Sequence, residues 1–590
     1  MKYYVKNIAN QYMKNIVAST LISTAATAVF AAGAQELSPF GIGSGAQRGR
    51  DVPGVNTWMP QAREIGVGWY RNIPNSGWRD VESSKGQWDF AKLDEAIAYM
   101  DEVGMNYCVL LWGQGWNGDT GFPNNDLESW SEYIRQLVAH FKAKGRTGLY
   151  LEIWNEPPNF TARGDTAADY AKVVAAAHDA AKSVDPTAKI GITAKSVHLN
   201  YLAHAIRSGA KNKFDWVSLH PYETLNGVAL SAGSDPLYLS INATLRKMLN
   251  AQNPERADVP LFFTEIGCDA RKGEDAQASS LLKTYIMGIA QGVAQIQWFE
   301  GRDGDSGPMG LMDDSGRKRP AYFAYGSMIK HFGQRPEYLG WVTLAQKHTG
   351  FVFKGADGKT LLAAWTSKKG ETADVELGAE FDVVNPLTGA IEKSRKIQLS
   401  NMPVFILNPP APALAAARAN KAKPFPWQGD YSATSVKEIS ISYAADGRVI
   451  EKGLHTTSGE EIAKAVKLYG GGHEQAGARD GSSPDGTTFI CDPNFLSYKT
   501  GPIEIVVVAQ RKDSAVAATI DLEYEYDNPS DPRGGIHPFN KKAREIPAGD
   551  GWQTLTWRLD DAEFNAYWGF NFRFGTGEYN LKSVTVKKLK

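Results

Sequence analysis

The sequence is poor in cysteine and nearly neutral in charge. Its 590 residues contain three cysteines, Cys108, Cys268 and Cys491, so disulfide bonds are not expected to form the framework of the fold. Buried free thiols are the favoured interpretation, and a Cys108–Cys268 disulfide is the alternative. The formal net charge is -1 and no sustained basic run occurs, which argues against nucleic acid or an anionic membrane as a partner.

Metal-binding motifs are also missing from the sequence. The cysteines lack the spacing of a zinc site, and the 10 histidines include no His-Glu-x-x-His motif. We therefore expect neither a metal nor another cofactor. Hydrophobic residues make up 43% of the chain and charged residues 22%, a balance that excludes a disordered protein and predicts an ample core. The composition does not indicate an oligomeric state.

An uncharged stretch near the N-terminus runs from Asn15 to Ala34 and follows three lysines. Its apolar part, Ile16 to Phe30, is shorter than the span of about 20 residues that a transmembrane helix needs. We interpret residues 1–34 as a signal peptide, cleaved after Ala31 or Ala34, with an uncleaved anchor as the alternative. Either reading places the rest of the chain outside the cytosol, secreted or periplasmic, with no other membrane contact.

From Phe40 to about Gly333, short apolar strands alternate with amphipathic helices, which is the pattern of parallel β/α units. Eight strands are predicted: Phe40 to Gly43, Gly66 to Arg71, Tyr107 to Trp112, Gly148 to Trp154, Lys189 to Thr193, Asp215 to His220, Leu261 to Glu265 and Gln295 to Phe299. Eight such units predict a closed (β/α)8 TIM barrel over residues 35–336. A doubly wound open sheet is the rival, but no Gly-x-Gly-x-x-Gly fingerprint follows the first strand.

Three further segments follow the predicted barrel. Short β runs and turns over residues 337–408 predict a small antiparallel β-sandwich. Residues 409–426 are rich in proline and alanine, which is typical of a stiff linker. Residues 427–590 predict a second, jelly-roll-like β-sandwich. With such a linker, we expect deletion of residues 427–590 to leave the barrel and the small sandwich folded and active on a short soluble substrate.

The C-terminal sandwich is similar in its patterning to carbohydrate-binding modules of secreted hydrolases. Its aromatic residues lie mostly at strand spacing, and alternation along strands is expected to send half of them into the core. They are Trp552, Trp557, Tyr567, Trp568, Phe570, Phe572 and Phe574. A binding module is one interpretation of this segment, and a structural appendage is the other.

Two glutamates lie where a barrel enzyme places its catalytic groups. Glu156 follows the fourth predicted strand in Trp-Asn-Glu-Pro-Pro, and Glu265 ends the seventh in Phe-Phe-Thr-Glu-Ile-Gly. Active sites of this fold lie at the carboxyl ends of the strands. Cleavage of a glycosidic bond with retention needs one carboxylic acid to protonate the leaving oxygen and one carboxylate to attack the anomeric carbon. For either glutamate alone, the alternative is an ion pair or a helix cap.

This arrangement resembles the clan A glycoside hydrolases, and family 39 more than the others, from about Phe40 to Gln334. The acid/base glutamate of that clan follows an asparagine after the fourth strand, as Asn155-Glu156 does. The nucleophile ends the seventh strand, as Glu265 does. Further resemblances are Arg71 after the second strand, the Trp78 to Asp94 segment, His220-Pro221-Tyr222 after the sixth strand, and Trp298 on the eighth.

The resemblance implies a retaining glycosidase in which Glu156 is the acid/base and Glu265 the nucleophile. It also implies that Asn155 binds the sugar 2-hydroxyl, and that Arg71 and Tyr222 donate to Glu265. Such donors predict a lowered pKa for Glu265, whereas a neighbouring negative charge predicts a raised pKa for Glu156.

The remaining candidates have less defined roles. His220 is expected to hydrogen-bond near the acid/base or the sugar, with a backbone-satisfied buried histidine as the alternative. Trp298 is the candidate for a stacking platform at subsite -1, with core packing as the alternative. Trp112 is a weaker candidate of the same kind, as are Trp116 and Trp69.

Two more acids lie close to the predicted site. Glu152 shares parity with Glu156 on one strand and is expected to be an internal structural carboxylate. Glu300 follows the eighth strand. Contact with substrate is one expected role for this glutamate, and a solvent-exposed or salt-bridged position is the alternative.

We therefore expect a secreted glycosidase that acts on a carbohydrate substrate, with β-linked bonds favoured. A noncatalytic carbohydrate-binding barrel is the main rival, and the intact Glu156, Asn155 and Glu265 argue against it. A metal-dependent hydrolase is a second rival, but of its possible histidine ligands only His220 ends a strand. The identity of the sugar, and whether the enzyme cuts inside chains or at their ends, depend on the loops after the barrel strands and do not follow from the sequence.

Overall fold

The computed structural model describes residues 36–43, 58–111, 115, 121–123, 126–162, 164–229, 231, 233–304, 306–425, 436–444, 449–456, 487–498, 501–527, 539–565 and 567–589. The predicted signal peptide, residues 1–34, lies outside the described residues, as do Trp112 and Trp116. Among the helices within those ranges, none has the length and apolar content to cross a bilayer.

Eight parallel strands close into a barrel, which confirms the predicted fold class. They are β1 (Phe40–Gly43), β2 (Trp69–Arg71), β5 (Asn106–Leu111), β6 (Tyr150–Ile153), β7 (Lys189–Lys195), β8 (Trp216–His220), β9 (Leu261–Ile266) and β10 (Gln295–Phe299). The barrel order is β1-β10-β9-β8-β7-β6-β5-β2. A short hairpin of β3 (Glu82–Ser84) and β4 (Gln87–Trp88) lies between β2 and β5 in the chain. All eight predicted strands are present, with ends that differ by a few residues.

Helices follow the barrel strands. They are α1 (Trp58–Glu64), α2 (Trp78–Val81), α3 (Ala91–Val103), α4 (Leu127–Ala143), α5 (Ala167–Val184), α6 (Leu199–Ala205), α7 (Tyr222–Ala229), α8 (Asp235–Leu239), α9 (Ile241–Gln252), α10 (Glu274–Ala290) and α11 (Pro320–Phe332). Local sequence sets their ends: Thr166 and Asp169 form a capping box at the start of α5, and Gly104 ends α3 at a φ of 74°.

The amino-terminal half of the barrel interior is filled by large side chains. Trp69, Cys108, Trp216 and Phe262 form one buried cluster there. Gly191 leaves room for the indole of Trp216, since a Cβ at this glycine would lie 2.4 Å from it. All three cysteines are buried and free, so the alternative of a Cys108–Cys268 disulfide is wrong. Side chains therefore fill the amino-terminal half of the barrel, and a ligand can enter at the carboxyl end of the strands.

The barrel is followed by a six-stranded antiparallel sheet of order β11-β12-β13-β16-β14-β15. Its strands are β11 (Glu337–Leu344), β12 (His348–Lys354), β13 (Thr360–Ala364), β14 (Ala373–Val384), β15 (Ile391–Leu399) and β16 (Val404–Leu407). One face packs on the end of α11, where the Phe332 ring lies 5.0 Å from that of Phe353 and 5.5 Å from that of Phe405. The sheet is thus continuous with the barrel core.

A helix occupies most of the segment predicted to be a linker. Residues Ala411–Asn420 form α12, and its Ala417 is buried against the six-stranded sheet. The helix approaches β11 so closely that a Cβ at Gly340 would lie 1.8 Å from the Ala417 carbonyl oxygen. The linker interpretation of residues 409–426 is therefore wrong for this helix. Alanine has the highest helix propensity, and Pro412 in the first turn is compatible with a helix start.

Two five-stranded antiparallel sheets form the C-terminal sandwich, in the orders β18-β17-β26-β21-β24 and β19-β20-β25-β22-β23. The strands are β17 (Glu438–Tyr443), β18 (Val449–Lys452), β19 (Leu454–Thr456), β20 (Thr487–Cys491), β21 (Ile503–Arg511), β22 (Thr519–Glu525), β23 (Phe539–Glu545), β24 (Gln553–Leu559), β25 (Phe572–Phe574) and β26 (Tyr579–Lys588). They enclose one apolar core.

Most aromatic residues proposed for a carbohydrate-binding face are part of that interior. Five are buried: Trp557, Tyr567, Phe570, Phe572 and Phe574. Trp568 is half-buried, and Trp552 is 44% exposed. One exposed tryptophan does not make an extended aromatic platform, so the aromatic pattern of this sequence reflects core packing.

Candidate active site

The two predicted catalytic glutamates both reach the mouth of the barrel. Glu265 lies on β9, and Glu156 follows β6 after an unusual turn in which Trp154 has a φ of 69° and Glu156 a φ of 48°. A bulky residue adopts this left-handed conformation only when its surroundings impose it. Here the Trp154 indole N–H donates to the Phe160 carbonyl at 3.1 Å. The turn therefore aims Glu156 across the mouth.

Arg71 at the end of β2 ties the site together. Its Nε donates to Glu152 at 2.7 Å, its Nη1 to Glu265 at 2.6 Å and its Nη2 to Asn155 Oδ1 at 2.7 Å. A planar guanidinium with five donors suits such a set of acceptors. Burial works against the charged form, but Glu152 and Glu265 raise the pKa of Arg71 above its ordinary value. Arg71 is thus a permanent cation beneath the mouth.

Glu265 receives a second donor from the segment after β8. The Tyr222 hydroxyl donates to Glu265 Oε1 at 3.0 Å, while Arg71 holds Oε2. Both carboxylate oxygens are thereby fixed in direction, as the resemblance implied. Glu265 is 8% exposed, which leaves only a small part of the carboxylate facing the mouth.

Glu156 is bound by His220, at the end of β8. The two side chains meet at 2.8 Å between Nδ1 and Oε1. The other ring nitrogen, Nε2, lies 2.9 Å from Thr264 Oγ1. One carboxylate oxygen of Glu156 and one of Glu265 lie within 4.8 Å of each other and of the His220 ring. The three groups therefore form one compact cluster.

A buried hydrogen-bond network supports this cluster from below. Thr264 donates to Glu152 Oε1 at 2.7 Å, and Ser218 donates to the same oxygen at 3.0 Å. Glu152 is fully buried, and its pairing with Arg71 agrees with the internal role expected of it. Burial favours the neutral acid, but Arg71 and His220 lower the pKa of Glu152 to about 2. This carboxylate is therefore ionised at any working pH.

The pKa shifts of the two glutamates are the reverse of those expected from the sequence. Burial raises the pKa of Glu265, and this outweighs the charges of His220 and Arg71. Burial also acts on Glu156, but the hydrogen bond and charge of His220 lower its pKa. Burial opposes the charge on His220 as well, whereas Glu265, Glu152 and Glu156 raise the pKa of His220 to about 9. The position of His220 against Glu156 is the reason for the difference.

Trp298 does not lie where a stacking platform requires it. Gln295 and Gln297 on the same strand bond to Cys108 inside the barrel, so Trp298, of opposite parity, faces the surrounding helices. Its side chain is 0% exposed. The prediction of a platform at Trp298 is therefore wrong, and core packing is the correct interpretation.

The residue that faces the site from β10 is Phe299. It clusters with Tyr222 and Met309, and Tyr222 contacts Glu265. Sequence reasoning missed Phe299, although strand alternation was the signal that could have found it. Trp69 lies deep in the barrel interior and Glu300 is fully buried, so neither offers an exposed surface to a ligand.

A metal is a poor fit to this cluster. Glu156, His220 and Glu265 are close enough to hold an ion, but both ring nitrogens of His220 are engaged by Glu156 and Thr264. Arg71 also places a positive charge on Glu265. A cation would have to compete with these protein donors.

Paired carboxylates at the mouth of a (β/α)8 barrel are the arrangement that retaining and inverting glycoside hydrolases use. Residues 66–289 match the family model described as Glycosyl hydrolases family 39, a segment that contains both glutamates, Arg71, His220 and Tyr222. This part of the barrel is thus similar to family 39 of the glycoside hydrolases, and the protein is a glycosidase.

One solved structure supports this fold, and two others are similar over part of the chain or at a lower TM-score. A family 39 glycoside hydrolase from the gut symbiont Bacteroides cellulosilyticus WH2 is 17% identical, with 63% of this chain and 82% of that chain covered at a TM-score of 0.51. A glucosidase from Croceicoccus marinus is 13% identical over 94% and 97% of the two chains, with a TM-score of 0.41. A family 30 endoxylanase from Clostridium papyrosolvens C71 is 13% identical over 64% and 98%, with a TM-score of 0.46. A comparison with curated proteins gave no significant match.

Proposed function

We propose that this enzyme hydrolyses β-glycosidic bonds of an oligosaccharide or polysaccharide with retention of configuration, with Glu265 as nucleophile and Glu156 as acid/base. The observation that carries the proposal is the short separation of the two carboxylates, since one oxygen of Glu156 and one of Glu265 lie within 4.8 Å of each other. Retaining glycosidases keep their carboxyl groups about 5 to 5.5 Å apart, and inverting enzymes about 6.5 to 9.5 Å apart to admit a water. The observed separation supports direct attack on the sugar.

In the first step, Glu265 attacks the anomeric carbon and the bond to the glycosidic oxygen breaks. Glu156 delivers a proton to that oxygen, so the leaving sugar departs as a neutral alcohol. The hydrogen bonds from Arg71 and Tyr222 orient Glu265 for this attack. Asn155, which accepts from Arg71 at 2.7 Å, binds the sugar 2-hydroxyl as positive charge develops on the ring.

The proton for this step belongs to Glu156 and His220 together. Thr264 donates to Glu152 and so accepts from His220 Nε2–H. One further proton then lies in the 2.8 Å contact between His220 Nδ1 and Glu156. Since the pKa of His220 is raised to about 9, the imidazole holds this proton at neutral pH. Its transfer to Glu156 makes the acid, which passes it to the leaving oxygen.

In the second step, water attacks the anomeric carbon of the covalent intermediate. Glu156, now a carboxylate, takes a proton from this water, and Glu265 is released. The sugar product keeps its original configuration because two inversions have occurred. With its lowered pKa, Glu156 alone is a weak proton carrier. Exchange of a proton with His220 lets Glu156 act as the acid in the first step and as the base in the second.

Product stereochemistry tests the proposal. A panel of 4-nitrophenyl β-glycosides of xylose, glucose, galactose, mannose and glucuronic acid first identifies a sugar that is turned over. Proton NMR of the first-formed product should then show the β-anomer, followed by slow mutarotation. An α-anomer as first product would overturn the retaining mechanism and the role of Glu265 as nucleophile.

We also propose that the enzyme acts outside the cytosol. The support is the N-terminal order of lysines, apolar core and small residues in residues 1–34. N-terminal sequencing of protein recovered from the medium or periplasm should begin after Ala31 or Ala34. Recovery of the full-length chain in the membrane fraction would favour the uncleaved anchor instead.

A further inference from the structure

The C-terminal sandwich packs directly on the barrel beside the active site. Asn565 Nδ2 donates to Asn200 Oδ1 on α6 at 2.8 Å, in a buried contact. Ser196 Oγ donates to the main-chain carbonyl of Tyr567. Ser196 directly follows β7, the fifth barrel strand, so the sandwich reaches the face at which the catalytic glutamates lie.

A buried carboxyl group holds the segment that makes these contacts. Glu525 is 1% exposed, and it accepts from the backbone N–H groups of Asn565 and Tyr567 and from the side chain of Asn571. A buried carboxyl group is stable only when it is hydrogen-bonded. The sandwich therefore uses Glu525 to fix Tyr567 in place against the barrel.

Tyr567 supports a lysine of the barrel. The Nζ of Lys195 lies 5.8 Å from the centroid of the Tyr567 ring, and the His198 ring lies 4.4 Å from it. Because Tyr567 is only 3% exposed, its ring has no open face on which a sugar can stack. Lys195 is half-buried, and its Nζ lies 3.5 Å from Asn159 Oδ1, on the segment that follows Glu156, in an exposed contact.

Strand geometry directs Lys195 into the barrel interior at the end where the two glutamates lie. Gly191 faces the barrel interior, where the Trp216 indole fills the space next to it. Alternate residues of a strand share a face, so Lys195 points into the same interior, nearer the carboxyl end. It lies opposite His220 in the pairing of β7 with β8, and His220 contacts Glu156.

Lys195 is also fixed to the turn that carries the acid/base. Its backbone N–H donates to the carbonyl of Pro157 at 3.1 Å, directly after Glu156. The acid/base gives its proton to the glycosidic oxygen, so the departing sugar must lie on the Glu156 side of the mouth. An ammonium group there is a hydrogen-bond donor to the hydroxyl groups of that sugar.

We propose that Lys195 binds the leaving-group sugar, and that Tyr567 of the C-terminal sandwich is the positioning residue that holds the lysine in place. The sandwich is then part of the active site, not a remote binding module. This inference rests on the proposed function, because it assigns one side of the same cleft.

Two substrates separate binding of the leaving sugar from the chemistry of the glycone. The probes are xylobiose, which has a leaving sugar, and β-xylosyl fluoride, which has none; if the aryl glycoside panel selects another sugar, its disaccharide and fluoride replace them. Lys195→Met should lower kcat/KM on the disaccharide at least tenfold, the equivalent of about 1.4 kcal/mol, and on the fluoride less than threefold. Tyr567→Leu should give the same pattern with a smaller loss, and Lys195→Arg should restore most of the disaccharide activity.

The chain offers a matched control in Lys582, whose Nζ also lies 5.8 Å from an aromatic ring, that of Trp552. Lys582→Met should leave kcat/KM unchanged on both substrates. An equal loss on both substrates in Lys195→Met would overturn the proposal, because the lysine would then act on the glycone chemistry. Unchanged disaccharide activity in a variant that melts at the wild-type temperature would overturn it too. Failure of the wild type on every glycoside would instead reject the proposed function.

Discussion

His220 meets Glu156 at 2.8 Å through Nδ1 and Thr264 at 2.9 Å through Nε2. The histidine therefore connects Glu156, the proposed acid/base, to the buried Thr264–Glu152 pair beneath the site. Because both ring nitrogens are occupied, the imidazole cannot turn, and its proton is directed at Glu156. In the proposed mechanism, His220 supplies the proton to Glu156 but does not itself attack or protonate the sugar.

The first prediction concerns the pH dependence of activity. The pKa of His220 is raised to about 9, so the Glu156–His220 pair loses its proton only as the pH rises through about that value. We expect kcat/KM to fall on the alkaline side near pH 9. In His220→Asn, Glu156 must hold the proton with its own carboxyl group, so the alkaline limb should move to lower pH.

A histidine–carboxylate pair outside the site provides the control for this measurement. His140 lies 2.7 Å from Asp94, and His140→Asn should leave the pH profile of kcat/KM unchanged. An alkaline limb that stays in place in His220→Asn would contradict the shared-proton mechanism.

The second prediction identifies the nucleophile. Glu265→Gly should abolish turnover, since the variant lacks the carboxylate that is proposed to attack the anomeric carbon. Sodium azide fits the space left by the carboxylate and should restore activity on an aryl β-glycoside, with the α-glycosyl azide as product. The product is identified by NMR. A β-glycosyl azide from this variant would assign the nucleophile to another group.

The third prediction distinguishes the acid/base from the nucleophile. Glu156→Ala should still form the covalent intermediate with an activated leaving group such as 2,4-dinitrophenolate, because this group departs without a proton. Hydrolysis of the intermediate should be slow, since its base is missing. Mass spectrometry should show an added glycosyl group on the protein, and azide should give the β-glycosyl azide. Free enzyme at steady state would argue against this role.

Much of the barrel could be predicted because its signals are local. Each parallel strand is a short apolar run, and the glutamates directly follow two of these runs. Because these strands are apolar on both faces, the sequence does not reveal which alternate side chains point into the barrel and which point toward the helices. Trp298 and Phe299 are both apolar and adjacent, and the sequence alone favoured the wrong one.

Contacts between distant segments could not be predicted in the same way. The approach of His220 to Glu156 depends on how neighbouring strands align, and it reversed the expected pKa shifts. The contact of Tyr567 with Lys195 joins residues of two domains. The linker prediction failed because proline density was given more weight than the helix propensity of the alanines between Ala411 and Asn420.

The fourth prediction concerns stability. The pKa of Glu152 is lowered from 4.5 to about 2, so its ionised form stabilises the folded state by about 3 kcal/mol. This contribution is fully present above pH 4.5 and is lost as the pH falls toward 2. Glu152→Gln removes it and leaves Arg71 with fewer acceptors, so we expect a loss of about 3 to 5 kcal/mol in urea unfolding at pH 7.

Glu132 provides a matched glutamate on the surface. Its side chain is 43% exposed and pairs with Arg135, and an exposed ion pair contributes about 0.2 to 1 kcal/mol. Glu132→Gln should therefore scarcely change the unfolding curve. Equal stability of the two variants would show that the buried Arg71–Glu152 pair adds nothing beyond an exposed one.

The fifth prediction concerns the C-terminal sandwich, which the sequence suggested was separable. The structure gives it a buried interface with the barrel: His204 lies 2.9 Å from Asp527, and Leu237 on α8 shares an apolar cluster with Ile490 and Phe570. Deletion of residues 427–590 would expose these barrel groups to water. We expect the truncated protein to melt at a lower temperature than the full chain and to aggregate on concentration, measured by differential scanning fluorimetry and light scattering.

A point variant tests the interface without removing the domain. Asn565→Ala takes away the donor to Asn200, and loss of one partner of a buried hydrogen bond costs about 1 to 3 kcal/mol. Trp552→Ala, at an exposed position of the same sandwich, is the control and should leave the melting temperature unchanged. If the truncated protein melts at the temperature of the full chain and retains its activity on the disaccharide, the interface neither stabilises the barrel nor completes its active site. Lower stability together with a selective loss on the disaccharide is the result expected when a docked domain supplies part of the cleft.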